Sequence, residues 1–183
     1  KPAAADGGWF EPVQLIRRGQ GSAKYSFAAK DRKLRIGSDE LVLIGKEAAY
    51  AKTGLPLIFG GYGVKADGSV VDGVAGKAVL VLFDRPENAP AALQAPRARR
   101  EALVAAGAEA VIFVGDSQGN WPTLRRVLLS RPIGLESREK RSALEGAMSS
   151  EFVVGLVTAA GRDWDKLRQN AKAENYAGDS LGV

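Results

Sequence analysis

Ala78-Val79-Leu80-Val81-Leu82-Phe83, the stretch from Pro96 to Gly107, and Ala110-Val111-Ile112-Phe113-Val114 together decide the fold of this chain. The first and last are apolar runs without alternation, the pattern of strands buried on both faces of a sheet. Between them, Pro96 sits where a first helical turn opens, and Ala98, Ala102, Leu103 and Ala106 fall on one stripe. Gly107 then occupies the position that favours a left-handed residue after a helix. Strand, helix over 97–106 and strand within about 35 residues make a βαβ crossover with parallel strands. A mixed α/β fold is expected.

Upstream the pattern changes to short antiparallel strands flanking that core. Trp9-Phe10, Val13-Gln14-Leu15-Ile16, Tyr25-Ser26-Phe27-Ala28, Leu34-Arg35-Ile36 and Leu41-Val42-Leu43-Ile44 are brief apolar or alternating segments, with turn chemistry at Gly37-Ser38-Asp39. Gly60-Gly61-Tyr62-Gly63 puts three glycines in four positions after Leu55-Pro56-Leu57-Ile58-Phe59. A phosphate loop needs such glycines between a strand and a helix N-terminus. Here Lys65-Ala66-Asp67-Gly68-Ser69 follows, which is a turn, so the glycines read as a bulge or tight turn. Downstream, Leu124 to Leu129 fits either helix or strand, and Phe152 to Val157 reads as a third buried strand. A helix over 163–172 is expected to turn Trp164, Leu167 and Ala171 inward.

Composition narrows the chemistry. The 183 residues suffice for one domain, or a domain and a half, with a sizeable core. The absence of cysteine excludes disulfides, thiolate nucleophiles and cysteine metal sites from this chain. The absence of histidine removes Ser-His-Asp and Cys-His arrangements and every zinc site built on imidazole. Carboxylate or Ser/Lys chemistry stays open as a third reading, with Ser117 as its serine. The net charge of +5 comes from basic residues interspersed with acidic ones, such as Asp31, Glu101, Glu136 and Glu139. No tract pairs a basic stripe with exposed aromatics, so no nucleic-acid partner is expected. No apolar run approaches the ~18–20 residues of a membrane span, so no membrane insertion is expected. The chain opens at Lys1 without a methionine or signal-type apolar run, and is read as a trimmed piece of a longer protein.

The loop from Gly115 to Pro122 follows a buried parallel strand at its carboxyl end, where open α/β sheets hold ligands. It carries Asp116 and Ser117, the aromatic Trp121, and, just beyond, Arg125 and Arg126. Arginine's planar fork of donors suits a peptide carboxylate. These five residues form the candidate substrate- or partner-facing loop; Trp121 is either a binding platform or a lid over the core.

The order Pro56-Leu57-Ile58-Phe59-Gly60-Gly61-Tyr62-Gly63-Val64, Val74-Ala75-Gly76-Lys77-Ala78-Val79-Leu80-Val81, Ala105-Ala106-Gly107-Ala108-Glu109-Ala110 and Trp164-Asp165-Lys166-Leu167 resembles the protease-associated domain inserted in di-zinc aminopeptidases. That group includes glutamate carboxypeptidase II and the transferrin receptor ectodomain. The likeness spans about Trp9 to Ala173 and is firmest from Leu55 to Val114. Residues 121–151 match no pattern of the family, and the acidic-aromatic run many members carry is reduced to Val71-Asp72-Gly73. The resemblance implies a swivelling β/β/α domain over 49–183, preceded by a β-rich flanking segment over 1–48. It implies a non-catalytic lid or specificity module beside an active site. Peptide substrate would be met through the parent's catalytic domain, and the zinc pair would be held there, with no cofactor in this chain. A secreted, periplasmic or cell-envelope location goes with that family. The alternative from a different class is a free-standing protein- or peptide-binding domain.

Overall fold

Every residue from Ala78 to Leu82 is buried, as befits a strand with parallel neighbours and cover on both faces. The computed structural model describes residues 15–17, 25–29, 32–37, 39–45, 53–115, 121–130, 133–135 and 144–183. Among these the strands are β1 (Leu15–Arg17), β2 (Tyr25–Ala29), β3 (Arg32–Ile36), β4 (Leu41–Ile44), β5 (Leu57–Phe59), β6 (Ala78–Leu82), β7 (Ala110–Gly115), β8 (Ile133–Leu135), β9 (Leu144–Ser149) and β10 (Asp179–Ser180). The α-helices are α1 (Pro96–Ala105), α2 (Trp121–Leu129), α3 (Ser150–Ala159) and α4 (Trp164–Asn170). One sheet runs β10-β5-β6-β7-β9-β4; its four inner strands are parallel and both edges antiparallel. Two antiparallel pairs, β1 with β8 and β2 with β3, lie apart from it.

The expected crossover is β6-α1-β7, with Val79 opposite Val111 and Leu80 opposite Ile112. Alternate residues then divide the core. Ile58, Val79, Val81 and Val111 pack with Leu103 of α1. Leu57, Phe59, Leu80, Ile112 and Val114 pack with Val153 and Leu156 of α3 and Leu167 of α4 on the other face. The β2–β3 pair leans on this second cluster through Phe27, whose ring centroid lies 6.2 Å from that of Phe152. β4, within the segment set apart as 1–48, forms the outer edge of the main sheet against β9. Trp9-Phe10 and Val13-Gln14 lie outside the described residues. Among the described residues, no helix is long and apolar enough to cross a membrane.

Three expectations are corrected. Phe152 to Val157 is not a strand but the body of α3. The Ser149 hydroxyl accepts from the Phe152 N–H at the helix start, and Val153, Leu156 and Val157 are buried at helical spacing while Val154 and Gly155 are exposed. The third parallel neighbour is β9, which the sequence reading passed over. β6 stops at Leu82, and Phe83 is exposed, its ring centroid 5.9 Å from that of Phe113. On α1 the inward residues are Leu103 and Arg99, one turn apart, whereas Ala98 and Ala102 are half-buried and Ala106 is exposed. The segment left open between helix and strand is α2.

The C-terminal residues return along β5 as a strap. Leu57 N–H donates to the Val183 carbonyl (3.0 Å), Leu181 N–H donates to the Leu57 carbonyl (3.2 Å), and Leu181 is buried. The Tyr176 hydroxyl lies 2.9 Å from Asp179 Oδ2 and 3.2 Å from the Phe59 carbonyl. Burial, then the hydrogen bond to Asp179 and its charge, push the Tyr176 phenol above its ordinary value. The folded state therefore keeps a proton that the unfolded chain releases above about pH 10. That stabilisation is complete below pH 10 and is lost as pH rises further. Tyr176→Phe is expected to flatten this alkaline loss in urea titrations at pH 9 to 11. Parallel pH profiles of the two proteins would refute it. Arg99, with its value lowered, acts in the opposite sense in that range, so the difference between the two proteins is the quantity to read.

Candidate functional site

The sequence-derived loop resolves into two parts. Asp116 and Ser117 lie outside the described residues. Trp121, Arg125 and Arg126 lie on α2, which sits beside β4 and β9. Trp121 Nε1 donates to the Asp39 carbonyl at 2.6 Å, and Arg125 Nη2 pairs with Asp39 Oδ1 at 2.8 Å. The Trp121 ring also lies over Gly115, where a Cβ would stand 2.8 Å from the ring. Of the two readings of Trp121, the geometry is that of a lid fastened to the turn before β4. Arg125 is tied to that same turn, while Arg126 is exposed.

A second constellation, which sequence reasoning missed, lies at the carboxyl ends of β5 and β6. Arg99 is fully buried on α1, and among the described residues its guanidinium donates to four main-chain carbonyls. Nη1 reaches Tyr62 O (3.0 Å) and Leu82 O (2.9 Å); Nη2 reaches Phe83 O and Asp84 O, both at 3.0 Å. One side chain thus holds the glycine-rich turn after β5 and the loop after β6 in a fixed relation. Nε has no partner among the described residues, and the guanidinium carbon stands 5.8 Å from the Phe113 ring centroid. Burial lowers the guanidinium to about 10, which leaves it protonated at neutral pH. The nearest sign in the sequence was the Arg99–Leu103 spacing, masked because arginine is counted as a surface residue.

The turn that Arg99 holds is built as the glycines require. Gly61 and Gly63 have φ of +58° and +83°, and a Cβ on Gly63 would lie 2.9 Å from Leu103 Cδ1. The reading of these glycines as a tight turn agrees with that geometry. Beside the turn opens a hollow of about 60 Å³ between the turn, the 86–89 loop and the residues after α4. Val64, Pro86, Ala89 and Ala171 form a buried apolar floor. Tyr62, Lys65, Glu87, Lys172 and Glu174 stand around it. Burial, then the charges of Asp84 and Glu87, raise the Tyr62 phenol above its ordinary value, so its hydroxyl is a proton donor at neutral pH. Lys65 is engaged with Asp72 at 3.0 Å. Among the described residues, no group of three or more acidic, histidine or cysteine side chains is placed to hold a metal ion. The arrangement offers groups that can bind and orient a ligand.

No protein-family model, curated protein or solved structure matches this chain.

Proposed function

We propose that this chain is a non-catalytic protease-associated module, of the swivelling β/β/α type, acting beside the zinc pair of an aminopeptidase as a lid or specificity wall. The observation that carries the proposal is the clamp at Arg99. The Phe59-Gly60-Gly61-Tyr62-Gly63 segment, which bears the family resemblance, is the turn whose carbonyl Arg99 holds, and Tyr62 lines the hollow. Loops fixed in this way can orient a peptide while another domain performs the chemistry. With no histidine or cysteine in the chain, zinc and its ligands would belong to the parent's catalytic domain. A secreted or periplasmic location follows from the same reading.

One observation favours the alternative of a free-standing interaction domain. α2 buries none of its residues, and Val127 on it is 59% exposed. A single experiment separates the two. The purified chain, assayed on aminoacyl 4-nitroanilides with added zinc, is expected to give no turnover, while the full-length gene product hydrolyses them and loses activity to a chelator. Zinc-dependent turnover by the chain alone, or an inactive full-length product, would overturn the proposal.

A further inference from the structure

We infer that the hollow between the glycine-rich turn, the 86–89 loop and the residues after α4 is a subsite for one leucine-sized side chain of a peptide, with a basic residue next to it. The inference deepens the peptide-positioning role proposed above and rests on it. The hollow exists because small residues line it. Ala66, Ala89, Ala171 and Ala173 stand where longer side chains would fill the space. Its volume of about 60 Å³ is on the scale of one aliphatic side chain. The buried floor of Val64, Pro86, Ala89 and Ala171 offers that group apolar contact. An aliphatic occupant would release water from it.

The rim selects what lies beside the aliphatic group. Lys65 is neutralised by Asp72. That leaves Glu87, Glu174 and Lys172, whose side chains make no hydrogen bond or ion pair among the described residues. Two free carboxylates against one free ammonium give the mouth an excess of negative charge, which complements a lysine or arginine and repels an acidic neighbour. The Tyr62 hydroxyl, held protonated, supplies a donor for a peptide carbonyl. Arg99 keeps two of the three walls in register, so little ordering is left for the ligand to impose.

The test is a titration of the full chain, followed by amide NMR shifts, with acetyl-Gly-Leu-Lys-amide, acetyl-Gly-Ala-Lys-amide and acetyl-Gly-Leu-Glu-amide. The Leu-Lys peptide is expected to bind at least five-fold more tightly than either of the others, with shifts at residues 62–66, 86–89 and 171–174. The double variant Glu87→Gln/Glu174→Gln is expected to weaken the Leu-Lys peptide about five-fold and to abolish its preference over Leu-Glu. Filling the hollow from its rim, by Ala66→Phe or Ala173→Phe, is expected to weaken it at least ten-fold. Two filling variants are used so that misfolding of one, read by circular dichroism, leaves the other decisive. Equal binding of the Leu and Ala peptides, shifts centred elsewhere, or no saturable binding would overturn the inference. Zinc-dependent hydrolysis by the full-length product is a separate readout, so a peptidase parent without this subsite is recognised as such.

Discussion

Arg99→Met is expected to lower the unfolding free energy by about 2–4 kcal/mol, the balance of two opposed effects. Methionine removes a buried charge, which is favourable, because the desolvation of the guanidinium outweighs what the nearby charge of Asp84 returns. It also strips donors from four carbonyls at once, those of Tyr62, Leu82, Phe83 and Asp84. Leu82 is buried, so water cannot readily replace the guanidinium at its carbonyl. Four lost charge-assisted bonds outweigh one relieved desolvation. Arg99→Lys retains the charge but has a single nitrogen, and is expected to recover at most half of the loss. Urea denaturation measures the total, and amide hydrogen exchange at residues 60–64 and 83–86 shows whether the two loops come loose before the sheet does. A loss below about 1 kcal/mol would mean the clamp is dispensable.

Leu103→Ala is expected to cost about 2–5 kcal/mol, the range for emptying a well-packed core site. Leu103 is fully buried one turn after Arg99, among Val79, Val81 and Val111, and its Cδ1 fills the space beneath the turn at Gly63. That position cannot collapse inward, because the strand below it is flanked by parallel neighbours on both sides. The removed atoms leave a void under the turn as well as over the sheet. Chemical denaturation with an unchanged slope is the check; a change under about 1 kcal/mol would contradict the packing of α1 on this face.

The βαβ core was legible because its signals agree at every level. The unbroken apolar runs of β6 and β7, the proline at the start of α1 and the glycine after it all point to one arrangement, and Gly107 has φ of +90°. α3 misled because an apolar run of six suits a buried strand and a buried helix alike. The deciding signs were local: a serine cap at Ser149, Glu151 in the first turn, and burial at 153, 156 and 157. β9 was invisible for a different reason. Leu144-Glu145-Gly146-Ala147-Met148-Ser149 carries a glycine and a charge where a strand should be aliphatic. The glycine is there for space, since a Cβ would run into the Val42 carbonyl of β4, and Glu145 is taken up by Arg100 of α1. Both facts join residues distant in sequence. The clamp at Arg99 was hidden likewise, since its four acceptors lie in the turn after β5, at the end of β6 and in the loop beyond it, which only the folded sheet brings together.

The two edges of the six-stranded sheet have a consequence for how the molecule forms. Three of its four inner strands, β5, β6 and β7, follow one another along the chain, so they can associate as soon as α1 and β7 have been made. The edges cannot. Leu41 waits for Met148, and Phe59 waits for Asp179 near the very end of the described chain. Closing such long loops is entropically costly until the inner sheet is there to receive them. During synthesis β5 therefore presents an open flank, a place where another nascent chain can pair. The strap from Tyr176 to Val183 ends that exposure, so the residues that seal this flank are made only after every parallel strand of the sheet.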